Sequence, residues 1–172
     1  MVKPPTSKPR RRGISQAEID LITAELATMR VGPQVAQMFL LSIETGMRLS
    51  ELLALRWPDV AEKYCILHDS KNKDSRQIPL SMQAREIVAQ RRQIDPVSVF
   101  TLTPHVASKT FQRARTEAKC HGVHFHDARS EAITRLSKKL DVLQLAKMIG
   151  HRDIKSLMFY YAESAESMAD RL

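Results

Sequence analysis

The sequence predicts a mostly α-helical α+β domain that contains one small antiparallel β-hairpin. Apolar residues recur at helical spacing through most of the chain, and capping residues or glycines stand at the ends of these segments. Strand-like sequence is confined to two short stretches on either side of a polar turn. At 172 residues, the chain is long enough for one well-packed domain and short for two.

Three helices are predicted before the hairpin. Ser15 and Glu18 form a capping-box pattern that predicts a helix start. A second helix is expected after Pro33, which suits a first helical turn, and Gly46 should end it. A third helix is expected over residues 49–56, because the proline that follows would interrupt a longer one.

The hairpin and two further helices occupy the middle of the chain. The predicted strands cover residues 64–68 and 76–80, around the polar segment DSKNKDS. Helical sequence resumes at Ser81 and again over residues 108–120, where Gly122 should close the helix.

Three more helices are predicted in the last third of the chain. The first of these opens near His126. The next begins with the cap pattern of Asp141 and Gln144 and ends at Gly150, and Asp153 caps the last one.

Positive charge is concentrated at the N-terminus. Residues 1–12 hold five cations and no acidic residue, whereas the rest of the chain contributes little to the net charge of +8. We therefore expect residues 1–13 to form a flexible basic arm or linker and residues 14–172 to form the folded domain. The charge suggests a polyanionic partner, and a well-solvated surface explains it equally well.

The composition argues against a secreted or membrane protein. Cys65 and Cys120 give no sign of a disulfide framework. No apolar run approaches the roughly 20 residues of a membrane span, and no hydrophobic segment follows the charged N-terminus as in a signal peptide. We therefore expect a cytoplasmic protein, located on DNA or the nucleoid if DNA is its partner.

Several residues could together bind a phosphodiester. His126 and Arg129 are three residues apart, so a helix would place both on one face. Arg48 stands at a predicted helix start, where free amide groups also favour an anion, and Glu51 could hold its guanidinium or cap the helix. The planar guanidinium of arginine donates two parallel hydrogen bonds to phosphate oxygens. Each residue could equally be an ordinary surface or half-buried side chain.

Candidate groups for proton transfer and nucleophilic attack stand elsewhere. Lys71 and Lys73 occupy the predicted hairpin tip, from which a lysine could reach a substrate and donate a proton. His151 follows a predicted helix end. Tyr160 or Tyr161 could attack phosphorus if a base or a cationic field assisted deprotonation, although a tyrosine among apolar residues is usually a core aromatic.

Zinc binding is the alternative for the segment that contains Cys120, His121, His124 and His126. A structural zinc site needs four ligands, usually in paired short spacings, and only one thiol is present here. We therefore expect no metal and no cofactor.

The segments TGMRLSELLALRWPDV, SKNKDSRQIPL, HFHDARS and MIGHRDIKSLMFYYAES, in this order, resemble the catalytic domain of tyrosine recombinases, the phage integrase family. The resemblance extends over residues 15–161. It implies site-specific cleavage and rejoining of double-stranded DNA through a 3′-phosphotyrosyl intermediate. It also implies a homotetramer on DNA, with a monomer plausible for the isolated domain.

The resemblance assigns roles to individual residues. Arg48 and Arg129 would clamp the scissile phosphate, and His151 would hydrogen-bond it. Lys71 would be the general acid for the 5′-hydroxyl leaving group, and His126 would accept a proton near the nucleophile.

Tyr160, nine residues after His151, has the spacing of the family's nucleophile, whereas Tyr161 does not. Glu51 matches the family's supporting acid. The expected DNA-binding cations are Lys3, Lys8, Arg10, Arg11, Arg12, Lys73 and Arg76.

The sequence departs from the family pattern around the second arginine. Ala128 replaces the usual leucine, and Ser130-Glu131 replaces the usual histidine and serine or threonine, which adds an anion close to the expected DNA. Family members usually carry a helical DNA-binding domain before the catalytic one, so the chain is expected to be a fragment or a truncated member. The alternative functions are a type IB topoisomerase and a non-catalytic DNA-binding regulator.

Overall fold

The computed structural model describes residues 13–68, 75–151, 153–162 and 165–170. Within these ranges it has a mostly helical architecture with one two-stranded antiparallel sheet, which confirms the predicted fold class. The elements are α1 (Gln16–Ala27), α2 (Gly32–Thr45), α3 (Leu49–Ala54), β1 (Tyr64–His68), β2 (Ser75–Pro79), α4 (Met82–Ala89), α5 (Pro104–Glu117), α6 (Asp127–Leu136), α7 (Val142–Ile149), α8 (Lys155–Met158) and α9 (Ala165–Ala169), with 3₁₀ turns at Trp57–Asp59 and Phe159–Tyr161. None of the described helices combines the length and the apolar character that crossing a membrane would need.

The predicted helix ends are largely confirmed. The Ser15 hydroxyl accepts a hydrogen bond from the amide of Glu18, whose carboxylate accepts one from the amide of Ser15, so the capping box before α1 is complete. Gly46 ends α2 at φ 70°, and Gly150 ends α7 at φ 69°. A residue with a Cβ atom is strained in this left-handed conformation, which explains glycine at both positions.

The prediction for α5 was wrong at both ends. The helix begins four residues earlier than expected, because Thr103 caps it through a 3.3 Å hydrogen bond from the amide of Val106 and Pro104 fills the first turn. At the other end, Lys119 rather than Gly122 adopts the left-handed conformation, with φ 56°.

The region around the hairpin differs from the prediction by one or two residues. α3 ends at Ala54, since the chain turns extended at Leu55 and Arg56 forms an isolated bridge with Ser98. β2 begins at Ser75 instead of one residue later. Cys65 lies opposite Ile78 in the sheet, and both side chains are buried.

Helix α2 lies at the centre of the main hydrophobic core. It packs against α1, α4, α5 and α6, and its side chains Val35, Met38, Phe39 and Leu41 are fully buried. The ring of Phe39 contacts Phe111 from α5 at a centroid distance of 4.9 Å. Helices α3 and α6, whose N-terminal ends carry candidate site residues, therefore both pack against α2.

A second, smaller cluster carries the C-terminal part of the described chain. It consists of Ile133, Leu145, Ala146, Ile149 and Leu157. The rings of Tyr160 and Tyr161 pack against this cluster rather than against the main core. The tyrosine-bearing segment therefore depends on α6 and α7 for its position.

Candidate functional site

The candidate site lies where several helix ends meet, and Arg129 of α6 joins two of them. Its side chain is 3% exposed. One terminal nitrogen donates to the carbonyl oxygen of Gly46 at the end of α2, and the other donates to the carbonyl oxygen of Ile149 at 2.7 Å. Arg129 therefore satisfies carbonyl groups that the last turns of α2 and α7 leave without a helical partner.

The guanidinium of Arg129 is buried and lies close to a second cation, Arg48. Burial, followed by the positive charge of Arg48, lowers the pKa of the Arg129 guanidinium to about 10, and the charge of Glu51 opposes this shift. Arg129 is still a cation at neutral pH, and an added negative charge at this point would stabilise it.

Arg48 immediately precedes α3 and is the more accessible of the two arginines. Its side chain is 43% exposed, and its Nη1 atom lies 2.8 Å from Oε1 of Glu51. The other carboxylate oxygen of Glu51 accepts the amide of Arg48 at 2.8 Å. Burial opposes ionisation of Glu51, but these hydrogen bonds and those from Arg76 hold its pKa below the ordinary value. Glu51 therefore stays charged and keeps Arg48 in place.

Arg76 of β2 also points at Glu51. Its Nη2 atom lies 2.7 Å from the same Oε1 atom that Arg48 contacts, and its Nε atom donates to the Met148 carbonyl oxygen at 3.1 Å. The side chain is only 19% exposed. Arg76 was predicted to be a DNA-binding cation. In the structure its Nε and Nη2 atoms donate to groups of the protein itself.

His151 follows the glycine that ends α7, and its ring is oriented by Ser156. The Nδ1 atom lies 2.9 Å from the Ser156 hydroxyl, which donates its single proton to the Asp153 carbonyl oxygen at 2.8 Å. The hydroxyl can therefore only accept from the ring, which places the proton of a neutral His151 on Nδ1. Its Nε2 atom then carries a lone pair.

The ionisation of His151 is linked to the two arginines. Burial, then the charges of Arg129 and Arg48, lower the pKa of its imidazole, and Asp153 acts in the opposite sense. His151 is therefore neutral at pH 7, since the ordinary pKa of histidine is about 6.5.

The two adjacent tyrosines have different surroundings. The Tyr161 hydroxyl donates to the Leu140 carbonyl oxygen at 2.7 Å, and burial together with the charge of Asp141 raises its pKa. The Tyr160 ring meets that of Phe159 edge-on at 5.8 Å, and its hydroxyl has no hydrogen-bond partner among the described residues. Tyr161 is thus engaged in the fold, and Tyr160 has its hydroxyl available.

His126 is exposed at the start of α6. Together with Arg48 and Arg129 it lines a cavity of about 200 Å³, whose lining also includes Met47 and Phe125. The structure therefore brings three of the predicted residues to one concave surface.

Part of the predicted site lies outside the described residues. This applies to the hairpin-tip lysines and to the basic arm, namely Lys71, Lys73, Lys3, Lys8, Arg10, Arg11 and Arg12. In the described ranges, no three histidine, cysteine, aspartate or glutamate side chains are grouped to hold a metal ion. His124, considered above as a zinc ligand, lies 3.5 Å from the Asp127 carboxylate.

Glu131, expected as an anion close to the DNA, makes two contacts within the protein. Its Oε2 atom accepts the amide of Ile14 at 3.3 Å, and its Oε1 atom lies 2.8 Å from Nε of Arg135. The carboxylate is therefore paired, and it fastens the segment before α1 to α6.

Sequence reasoning missed Ser156 and the carbonyl groups that hold Arg129. Ser156 could have been suspected, because it lies five residues beyond His151 and three beyond Asp153, the predicted cap. The residue before α8 is Ile154 instead, and the Asp153 carboxylate accepts the amide of Lys155 at 2.9 Å. The carbonyl contacts carry no sequence signal, since every residue has a carbonyl group.

Comparison with known proteins identifies relatives of this chain. The family model described as the phage integrase family matches residues 13–167. A Haemophilus influenzae protein assigned as an integrase or recombinase is 34% identical, over 98% of this chain and 59% of that protein. The shufflon-specific DNA recombinase of Escherichia coli is also 34% identical, over 78% of this chain and 36% of that protein.

A solved structure has a similar fold. The catalytic domain of bacteriophage HP1 integrase superposes with a TM-score of 0.73 at 21% identity, over 93% of this chain and 94% of that domain. The chain spans between about a third and three fifths of the curated relatives named above.

Proposed function

This chain belongs to the phage integrase family, and on that premise we propose that it cleaves and rejoins DNA at specific sites with Tyr160 as the nucleophile. The family match and the DNA recombinase among the relatives support this proposal. Double-stranded DNA is then the substrate.

The observation that carries the proposal is that Arg48, His126 and Arg129 line one cavity. Burial, followed by the charge of Arg48, lowers the pKa of Arg129, and burial, followed by the charges of Arg129 and Arg48, lowers the pKa of His151. Arg48 and Arg129 are therefore two neighbouring cations, and His151 is a neutral ring close to them. A phosphodiester in this cavity is attracted by both arginines, and the extra negative charge of its transition state is attracted more strongly.

The proposed reaction is a transesterification at phosphorus. The Tyr160 oxygen attacks and forms a bond to the phosphorus atom, while the bond to the 5′-oxygen breaks. The tyrosine proton passes to His126, and Lys71 donates a proton to the departing 5′-oxygen. A second 5′-hydroxyl reverses the step, and the ester bond conserves the energy for rejoining.

The arginines act on the non-bridging oxygens in this scheme. Arg48 is exposed and can donate its remaining N–H groups to a phosphate oxygen. Arg129 keeps further N–H groups beyond those bonded to Gly46 and Ile149, because a guanidinium has five. His151 adds a third donor once its Nε2 atom is protonated.

Covalent capture tests the proposal. Nicked duplexes tiled across the DNA on either side of the protein's own coding sequence release a short strand on cleavage and trap the adduct. The wild type should give a protein–DNA band on a denaturing gel, and Tyr160→Phe should give none. Tyr161→Phe is the matched control and should retain the adduct.

The outcome also separates the alternatives. An adduct accompanied by relaxation of supercoiled plasmid, without strand exchange between duplexes, would indicate a type IB topoisomerase. DNA binding without an adduct on any duplex would indicate a regulator. We propose a homotetramer on two bridged sites and a monomer without DNA, which light scattering in the presence and absence of duplex would measure.

A further inference from the structure

Arg76 connects three elements of the candidate site. Its Nη2 atom bonds Glu51 of α3 at 2.7 Å, and its Nε atom bonds the Met148 carbonyl oxygen in the last turn of α7 at 3.1 Å. Arg76 itself lies on β2. The side chain therefore links the sheet to both helices that flank the arginines and His151.

Glu51 is shared between two guanidinium groups. Its Oε1 atom lies 2.8 Å from Nη1 of Arg48 and 2.7 Å from Nη2 of Arg76. The side chain of Arg48 is 43% exposed and that of Arg76 is 19% exposed. The half-buried Arg76 thus fixes the carboxylate from inside, and the carboxylate fixes Arg48 on the accessible side.

The third contact of Arg76 is with Gly150. A Cβ atom built on Gly150 would lie 3.2 Å from the Cζ, Nε and Nη1 atoms of Arg76, so the face of the guanidinium covers the glycine. Gly150 also has φ 69° and directly precedes His151. The Arg76 side chain therefore supports the turn from which His151 projects.

We propose that Arg76 is a positioning residue for cleavage, which holds Arg48 through Glu51 and His151 through Gly150, and does not contact DNA. This inference rests on the proposed function for its catalytic readout. A lysine at this position would keep the charge but lose the planar fork, and one ammonium group cannot bond Glu51, bond Met148 and cover Gly150 together.

The competing role is a direct phosphate contact, and it gives opposite results for the same variants. A phosphate contact tolerates lysine, because the charge is preserved, and its loss lowers the slope of log affinity against log salt by about 0.9. A positioning residue does not tolerate lysine in catalysis, while binding stays as in the wild type. A misplacement of about 1 Å costs on the order of 100-fold in rate.

The experiment compares Arg76→Lys, Arg76→Ala and the control Arg113→Ala. Arg113 is exposed on α5 and lines a surface pocket with Glu25 and Glu117, and it is not among the residues that line the pockets around Arg48. Single-turnover cleavage of the nicked duplexes that trap the covalent adduct gives the cleavage rate. Anisotropy with a random duplex of about 30 base pairs gives affinity and its salt slope.

We expect Arg76→Lys to cleave about 100-fold more slowly than the wild type, with affinity and salt slope unchanged and with the control unaffected. Wild-type cleavage by Arg76→Lys, or a salt slope reduced in Arg76→Ala beyond that of Arg113→Ala, overturns the inference. If the wild type itself forms no adduct, the proposed function fails. The salt slopes alone then decide whether Arg76 contacts DNA. If Arg76→Ala does not fold, the lysine variant decides.

Discussion

Arg129 donates a 2.7 Å hydrogen bond to the carbonyl oxygen of Ile149, the residue before the glycine that precedes His151. This bond joins the buried cation of α6 to the turn that presents the histidine. The same guanidinium also holds the end of α2 through Gly46. The residue proposed to bind the phosphate is therefore also one that holds its surroundings together.

Replacing Arg129 by lysine should reduce both stability and cleavage. One ammonium group cannot serve both the Gly46 and Ile149 carbonyl oxygens, and a buried acceptor without a partner costs about 1–3 kcal/mol. We expect urea unfolding to show a loss of about that size. Arg113→Lys on the surface of α5 is the control, and an unchanged unfolding midpoint for Arg129→Lys would contradict the bonding described here.

The two tyrosines should differ in stability as well as in reactivity. Tyr161→Phe removes the hydrogen bond to Leu140 and should lower the free energy of unfolding by about 1 kcal/mol. Tyr160→Phe removes a hydroxyl without a partner in the described structure, so its stability should stay close to that of the wild type. Thermal unfolding of the two variants side by side measures the difference in stability. A larger loss in Tyr160→Phe than in Tyr161→Phe would assign the hydroxyl without a partner to Tyr161.

His151 should make DNA affinity depend on pH. The ring donates its Nδ1–H to Ser156, so donation to a phosphate oxygen requires a proton on Nε2. A bound phosphate raises the pKa of His151, and affinity should fall as the pH rises through that raised value. Anisotropy from about pH 5.5 to 8 should show this decrease in the wild type and a smaller one in His151→Gln. If affinity falls equally with pH in the wild type and in His151→Gln, His151 does not bind the phosphate.

Without DNA, His151 should make the stability of the protein fall as the pH falls, whereas DNA affinity should fall as the pH rises. The pKa of the folded state is lowered below the unfolded value near 6.5. The neutral ring therefore stabilises the fold above that unfolded value, and the contribution is lost as the pH falls toward the folded pKa. The free energy of unfolding should therefore fall less with decreasing pH in His151→Gln than in the wild type. Urea titrations without DNA at several pH values would measure this.

Glu131→Gln should loosen the start of the domain without strengthening DNA binding. The change weakens the contacts with the Ile14 amide and Arg135, so amide exchange at residues 14–16 should become faster. Because the carboxylate is already paired, we expect the salt slope to stay unchanged. Tighter DNA binding by the variant would show that Glu131 does repel the substrate.

Lys71 can be tested through the leaving group. A duplex with sulfur at the 5′-bridging position needs no proton on departure, because a thiolate leaves readily. Cleavage that is lost in Lys71→Ala should return with this substrate. A failure of the sulfur substrate to restore cleavage would exclude Lys71 as the general acid. Lys73→Ala is the comparison, because any cleavage lost with this neighbouring lysine should not return with the sulfur substrate.

Local signals in the sequence predicted much of the fold. Ser15 with Glu18 and Asp141 with Gln144 marked helix starts, and Gly46 marked an end, because caps act over a few residues. The start of α5 was missed, because the predicted helix began at residue 108 and the cap at Thr103 was not recognised. Long-range contacts had no such local signal.

Arg76 shows this limit for the site itself. Its basic side chain near a hairpin tip suggested a DNA contact, and only the fold brings Glu51 and Met148 within 3.1 Å of it. The residue types and their order indicated the chemistry, whereas the carbonyl partners of Arg129 and the sharing of Glu51 depend on how distant helices pack.

The small cluster under Tyr160 has a consequence for local unfolding. Ile149 belongs to this cluster and also accepts the hydrogen bond from Arg129. An opening of the cluster that displaced Ile149 would therefore break the Arg129 contact and remove the packing under Tyr160, while the α2-centred core stayed folded. The proposed nucleophile Tyr160 and one contact of Arg129 thus depend on the same small cluster.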